Sequence, residues 1–169
     1  NNQDKEGDVP LWLVLIGHGT FDGKTAKFNL QGPDVSADTL AKWLEPFKRP
    51  IAVINAFSAS APFLNKLSGN NRVVISATKS GYEFSYSRFG QFISNAIVEL
   101  SSDLDKDGQT SLLEAFLAAS RQVDEFYSAE GRLATEHALI DDNADALGTS
   151  ADWYQGIKPS KKASEKSSP

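Results

Sequence analysis

The sequence predicts an α/β domain built on a parallel sheet flanked by helices, and three observations carry that expectation. Two continuous apolar runs of strand length, LWLVLI at 11–16 and IAVINA at 51–56, read as strands covered on both faces, as parallel sheets require. The segments between and after these runs show helical spacing, and short polar turns join them. Strand, helix, strand, helix, strand is the pattern of right-handed crossovers, which place the strands in one parallel sheet.

In order along the chain, residues 1–10 form a polar lead-in ending at Pro10, and the first strand ends at His18-Gly19. A polar turn at 21–23 follows. Ser36 stands as N-cap before ADTLAKWLEPF, where Leu40, Trp43 and Leu44 recur at helical spacing, and Pro50 closes the crossover. The second strand ends in NAFSASA, the short helix APFLNKL begins near Ser60, and RVVISAT forms a third strand after the turn SGNN. From Phe89 the pattern becomes helical: FGQFISNAIVEL, an acidic loop, then SLLEAFLAASRQVDEFY, whose Leu113, Phe116, Leu117, Val123 and Phe126 make a core-facing stripe. Residues 11–157 form the domain. The tail 158–169 is Lys, Ser and Pro, too poor in apolar side chains to offset the entropy of ordering, so it is expected to be disordered. Three strands are few for such a sheet, and the chain enters its first strand almost at once without any methionine. A preceding segment or a separate chain is therefore expected to complete the sheet.

Composition narrows the function. At 169 residues with 40% apolar and 23% charged residues the chain suits one globular domain, and no apolar run approaches the ~20 residues that span a bilayer. A net charge of −5 with basic residues clustered only in the tail argues against nucleic acid, and zero Cys removes disulfides, thiolate metal sites and a cysteine nucleophile together.

Residues 103–114 carry the strongest motif. Asp103, Asp105 and Asp107 alternate, Gly108 follows, Ser111 takes the ninth position and Glu114 the twelfth, with the Gln109 carbonyl at the seventh. This is the spacing of an EF-hand loop, because a hard cation wants six to eight oxygens and the glycine permits the reversal that aims alternate carboxylates inward. Thr110 departs from the pattern, an aliphatic residue being usual there. The expected cofactor is Ca2+, and free-calcium levels outside cells tilt the expected location toward export. A second run, Asp141, Asn143, Asp145 and Asp152, has the same alternation but Ala146 in place of glycine, which leaves calcium and an Asx-rich turn equally open.

His18 and NAFSASA fall at the carboxyl ends of adjacent parallel strands, the edge where α/β sheets place their sites. A histidine there, facing a hydroxyl at the start of the next helix with backbone N–H groups nearby, has the makings of a general base beside a nucleophile. Ser58 and Ser60 are the hydroxyls, and helix capping is the plainer role for both. No Gly-x-Ser-x-Gly elbow surrounds either one.

The segments LWLVLIGHGT, VINAFSASAPF, RVVISATKSGYEFSYSRFGQF, DLDKDGQTSLLEAF and LATEHALIDDN together resemble the caspase and legumain clan of cysteine peptidases, most closely its legumain-like bacterial members. The resemblance implies a caspase-like fold, peptide or protein as partner, a His18 that polarises the substrate or assists proton transfer, and an oxyanion N–H from Gly19. It also implies that Thr78–Ser87 walls the pocket for the residue before the scissile bond, with Thr78, Glu83 and Ser85 as its polar members. The family's Cys falls on Ala56 or Phe57 according to register, and neither can attack a carbonyl. Three readings follow: an inactive peptidase-like domain, a cysteine peptidase whose Cys was replaced at Ala56, and a serine-dependent hydrolase using Ser58 or Ser60. His137 is expected to be a structural contact near the second acidic turn.

Overall fold

A computed structural model describes residues 5–154. The expected tail 158–169 lies outside the described residues, as does the start of the lead-in. Strands β1 (Leu11–Gly17), β5 (Ile51–Phe57) and β6 (Arg72–Ser76) lie parallel, in register from Leu11↔Ile51 and Ile51↔Arg72. The crossovers are made by α1 (Ala37–Leu44) and α2 (Ala61–Leu67). Ser36 caps α1 by accepting the Thr39 N–H at 3.1 Å, and Leu40 and Leu44 are buried while Trp43, one position round the helix, is 58% exposed.

The sheet is mixed, which corrects the expectation of an all-parallel one. β7 (Leu139–Asp141) pairs antiparallel with β6, and β8 (Thr149–Ser150) pairs antiparallel with β7, giving the order β1-β5-β6-β7-β8. Both added strands are too short to carry a sequence period, and they come from the chain's own C-terminal part. A second small sheet was likewise illegible as such: the polar turn at 21–23 falls where expected, but it joins β2 (Gly19–Phe21) to β3 (Ala26–Phe28) in an antiparallel meander completed by β4 (Val35–Ser36).

Two cores sandwich the large sheet. On one face Val53, Phe57 and Val74 pack with α1, α2 and Phe28 of the meander. On the other, Ile54, Ala56 and Ile75 pack with α3 (Phe89–Val98) and α4 (Leu112–Ala129). The predicted α4 stripe holds, with Phe116 and Val123 buried and Leu113, Leu117 and Phe126 packed at the margin. Those helices stop short of β1. Leu11 donates its N–H to the Pro50 carbonyl, so the alternate residues Trp12, Val14 and Ile16 turn their backbone groups away from β5, and their side chains are 49, 45 and 64% exposed. Among the described residues no strand pairs with that edge.

Candidate functional site

The acidic loop joins α3 to α4 through a 3-10 turn at Leu100–Ser102, so the entering helix ends at Val98, before the loop begins, instead of running into it as in an EF hand. Within the loop, positive φ at Lys106 (59°) and Gly108 (89°) reverses the chain. The reversal aims side chains inward: Asp103 accepts the Gly108 N–H at 2.8 Å and Asp105 accepts the Asp107 N–H at 3.0 Å. Carboxylate oxygens of Asp103, Asp105 and Glu114 all lie within 4.8 Å of one another, a group that could hold a metal ion. Asp107 is outside that group and accepts the Gln109 N–H instead. Ser111 is the N-cap of α4, forming a capping box in which its hydroxyl accepts the Glu114 N–H and Glu114 accepts the Ser111 N–H.

Electrostatics divide the three acids. Burial pushes the Asp105 carboxyl up, and repulsion from Asp107, Glu114 and Asp103 adds to this, so it stays above its ordinary value despite the Asp107 N–H. Burial also acts on Asp103, but the N–H groups of Gly108, Asp107 and Lys106 outweigh it and hold that carboxyl below the ordinary value. Glu114 is held low in the same way, burial being outweighed by Ser111 and by the N–H groups of Asp105 and Leu104.

The second acidic run folds like the first, residue for residue. Asp141 accepts the Ala146 N–H at 3.1 Å, Asn143 accepts the Asp145 N–H at 3.1 Å, and Asp145 accepts the Leu147 N–H at 2.7 Å. Ala144 and Ala146 take the two positive-φ positions, at 62° and 59°, so the missing glycine is replaced by strained alanine. Its twelfth residue, Asp152, lies instead beside Asp124 of α4.

At the carboxyl edge of β1 and β5, His18 and Ser58 do meet, with Nδ1 and Oγ 3.3 Å apart. Ser58 is only 1% exposed, and its hydroxyl donates to the Gly19 carbonyl at 3.1 Å while accepting the Gly19 N–H at 3.2 Å. The N–H that an oxyanion would need is thus occupied by the hydroxyl itself. A Cβ at Gly19 would collide with the Ser58 carbonyl and the Phe57 ring, so glycine is required where these segments touch. Phe57 is fully buried, its ring tilted against Phe28 and edge-to-face with Phe63 at 4.9 and 5.0 Å between centroids. Ala56 points the other way, into the core under Gly90 of α3, and is 2% exposed.

Ser60 begins α2 without a side-chain cap. Thr78 does that work from the end of β6, accepting the N–H groups of Ser60 and Ala61 at 2.8 and 3.1 Å. Thr78 is therefore fully buried and not open to a substrate. Glu83 is also engaged, accepting the Lys79 N–H at 2.8 Å and meeting His137 Nδ1 at 2.5 Å, while Ser85 is exposed. What that segment presents to solvent is Tyr82, Phe84 and Tyr86, 53–67% exposed, with Tyr86 edge-on to His18 at 6.2 Å.

His137 contacts Glu83, where a contact near the second acidic turn was expected, and its neighbour Glu136 is one that sequence reasoning missed. Glu136 is 1% exposed and accepts from Ser87 Oγ at 2.7 Å and from the Arg88 and Phe89 N–H groups at 2.9 and 3.1 Å, capping α3. The only sequence signal was that no Ser, Thr, Asp or Asn stands directly before Phe89 in position to cap that helix.

No family model, curated protein or solved structure matches the chain.

Proposed function

We propose that this chain is a calcium-binding, peptidase-like domain, resembling legumain-type cysteine endopeptidases, that engages peptide or protein without cutting it. The observation that carries the calcium reading is the gathering of Asp103, Asp105 and Glu114 in a loop already folded to aim them inward. Calcium supplies the oxygen-seeking charge that three crowded carboxylates lack, and water can complete its six to eight ligands. An exported setting, where free calcium is high, suits one loop of this kind.

The absence of cutting is supported by Phe57. Its ring fills the space beside Gly19 where the family's thiol is expected, and no Cys occurs anywhere in the chain. Replacement of a native Cys at Ala56 fits poorly, because a thiol there would sit beneath α3, away from His18. The partner in this reading is a polypeptide strand from a preceding segment or another chain, laid along the outward backbone groups of Trp12, Val14 and Ile16.

One observation favours a second reading, a serine-dependent hydrolase: the 3.3 Å approach of His18 to Ser58. Its weakness is the burial of Ser58 and the use of its proton on the Gly19 carbonyl. The test is calorimetric calcium titration together with a peptide library varied at the residue before the scissile bond, with calcium and with chelator. Saturable calcium binding and no cleavage is the expected result. Cleavage abolished by Ser58→Ala establishes the second reading, and failure to bind calcium removes the first.

A further inference from the structure

A chamber of about 70 Å3 lies where α4 meets the start of β7 and the 3-10 turn Ala151–Tyr154, walled by Ser120, Asp124, His137 and Asp152. It shares Asp124 and Asp152 with an outer cleft of about 250 Å3 flanked by Leu117 and Tyr154. None of these residues belongs to the calcium loop or to the His18 edge.

Two independent features point to an occupant. Ser120 is 9% exposed, it lines the chamber, and its hydroxyl oxygen has no hydrogen-bond partner. A buried hydroxyl left so is costly unless a guest completes it. The second feature is charge: burial raises the Asp124 carboxyl above its ordinary value, the facing Asp152 raises it further, and His137 acts in the opposite sense. A cation at the neck would favour the charged form of the Asp124 carboxyl.

The shape selects the kind of cation. Asp124, His137 and Asp152 do not bring three ligand atoms within 4.8 Å of one another as the calcium loop does, so a bare metal ion finds no ready coordination shell. A head group that spreads its charge over several N–H donors can span the gap. Arg121, at the outer rim, is directed to Glu125 at 3.5 Å and leaves the neck acidic.

We propose that this two-part cleft binds a small organic cation of the alkylammonium or alkylguanidinium class. The head enters the chamber between Asp124 and Asp152 and donates to the Ser120 hydroxyl oxygen, and the alkyl stem lies along Leu117 and Tyr154. The proposal is independent of whether the calcium loop or the His18 edge is functional.

Its test is an NMR titration of the full chain with n-butylguanidinium, n-butylammonium and, as neutral isostere, n-butylurea. The two cations are expected to give saturable shifts confined to residues 117–124 and 149–154, with n-butylurea weaker by about tenfold or more, the loss of one charge-assisted contact. Asp124→Asn and Ser120→Ala should each weaken cation binding, the former more. Equal binding of n-butylurea overturns the proposal, and that comparison needs no variant. So does a response that never saturates, or one that Asp124→Asn leaves intact. Tighter saturable binding of Zn2+ at the same resonances, excluding n-butylguanidinium, would make this a metal site and equally overturn it.

Discussion

Asp105→Asn gives the sharpest test of the calcium loop, because its effect should change sign with the ion. Without calcium the Asp105 carboxylate is held in a partly desolvated place among Asp103, Asp107 and Glu114, and this crowding raises its proton affinity. Removing the charge while keeping the shape should leave the calcium-free protein as stable or more stable, since the amide oxygen can still accept the Asp107 N–H. On the proposed reading, calcium would take the same carboxylate as a ligand. A ligand that binds only the folded state at a hundred times its dissociation constant adds about 2.7 kcal/mol. For a domain of this size each kcal/mol moves the midpoint by about 2–4 °C, so calcium should raise the wild-type Tm by about 5–10 °C. Asp105→Asn should lose most of that rise. The assay is differential scanning calorimetry of both proteins in chelator and in saturating calcium. Magnesium serves as the control ion, since its smaller shell demands stricter octahedral geometry. A variant that is less stable in chelator by the same margin as in calcium would refute the reasoning, for it would show Asp105 acting only through its local hydrogen bond.

Other outcomes follow from particular contacts. Glu136→Gln should destabilise the fold by about 2–3 kcal/mol, because charge-assisted bonds to the start of α3 become neutral ones; urea unfolding measures it, and an unchanged midpoint would remove the cap. Ser58→Ala should cost about 1–2 kcal/mol by stripping Gly19 of both its N–H and carbonyl partners, and hydrogen exchange at the Gly19 amide should rise with it. Asp124→Asn should be more stable than wild type near neutral pH. The folded carboxyl lies above the ordinary 3.8, so its charge opposes folding at higher pH, and the penalty fades as pH falls through the folded value toward the unfolded one. The two urea midpoints should therefore converge in acid, and a gap that widens in acid would contradict the assignment. Phe57→Cys should cost about 3–5 kcal/mol through the cavity left between Phe28 and Phe63, measurable by thermal unfolding.

Much of this architecture was written in periodicity and caps. The three parallel strands, the helix 61–67 and the Ser36 cap were legible because each rests on residues adjacent in sequence. What escaped reading rests on distant partners. β7 and β8 are three and two residues long, and only pairing with β6 defines them. The caps of α2 and α3 come from Thr78 and Glu136, the second 47 residues from the N–H it satisfies at Phe89; Ser60 stands at the N-cap position of α2 but makes no side-chain cap, and no capping residue stands directly before Phe89. The site divides along the same line. The acidic loop is local, and its spacing alone brought out Asp103, Asp105 and Glu114; the assignment of Thr78 and Glu83 to a pocket wall rests on a likeness at the level of motifs, and in the fold Thr78 bonds to the start of α2 while Glu83 bonds to Lys79 and His137. The same contrast explains the second acidic run. Its local part, from Asp141 to Leu147, folds as the first loop does even with alanine at the glycine position, because the Asx hydrogen bonds fix the turn. Its distant part fails, since Asp152 is carried by the 3-10 turn to Asp124 on α4. A repeated spacing therefore specifies the turn, while the ligand that closes a cage depends on what the exit helix packs against.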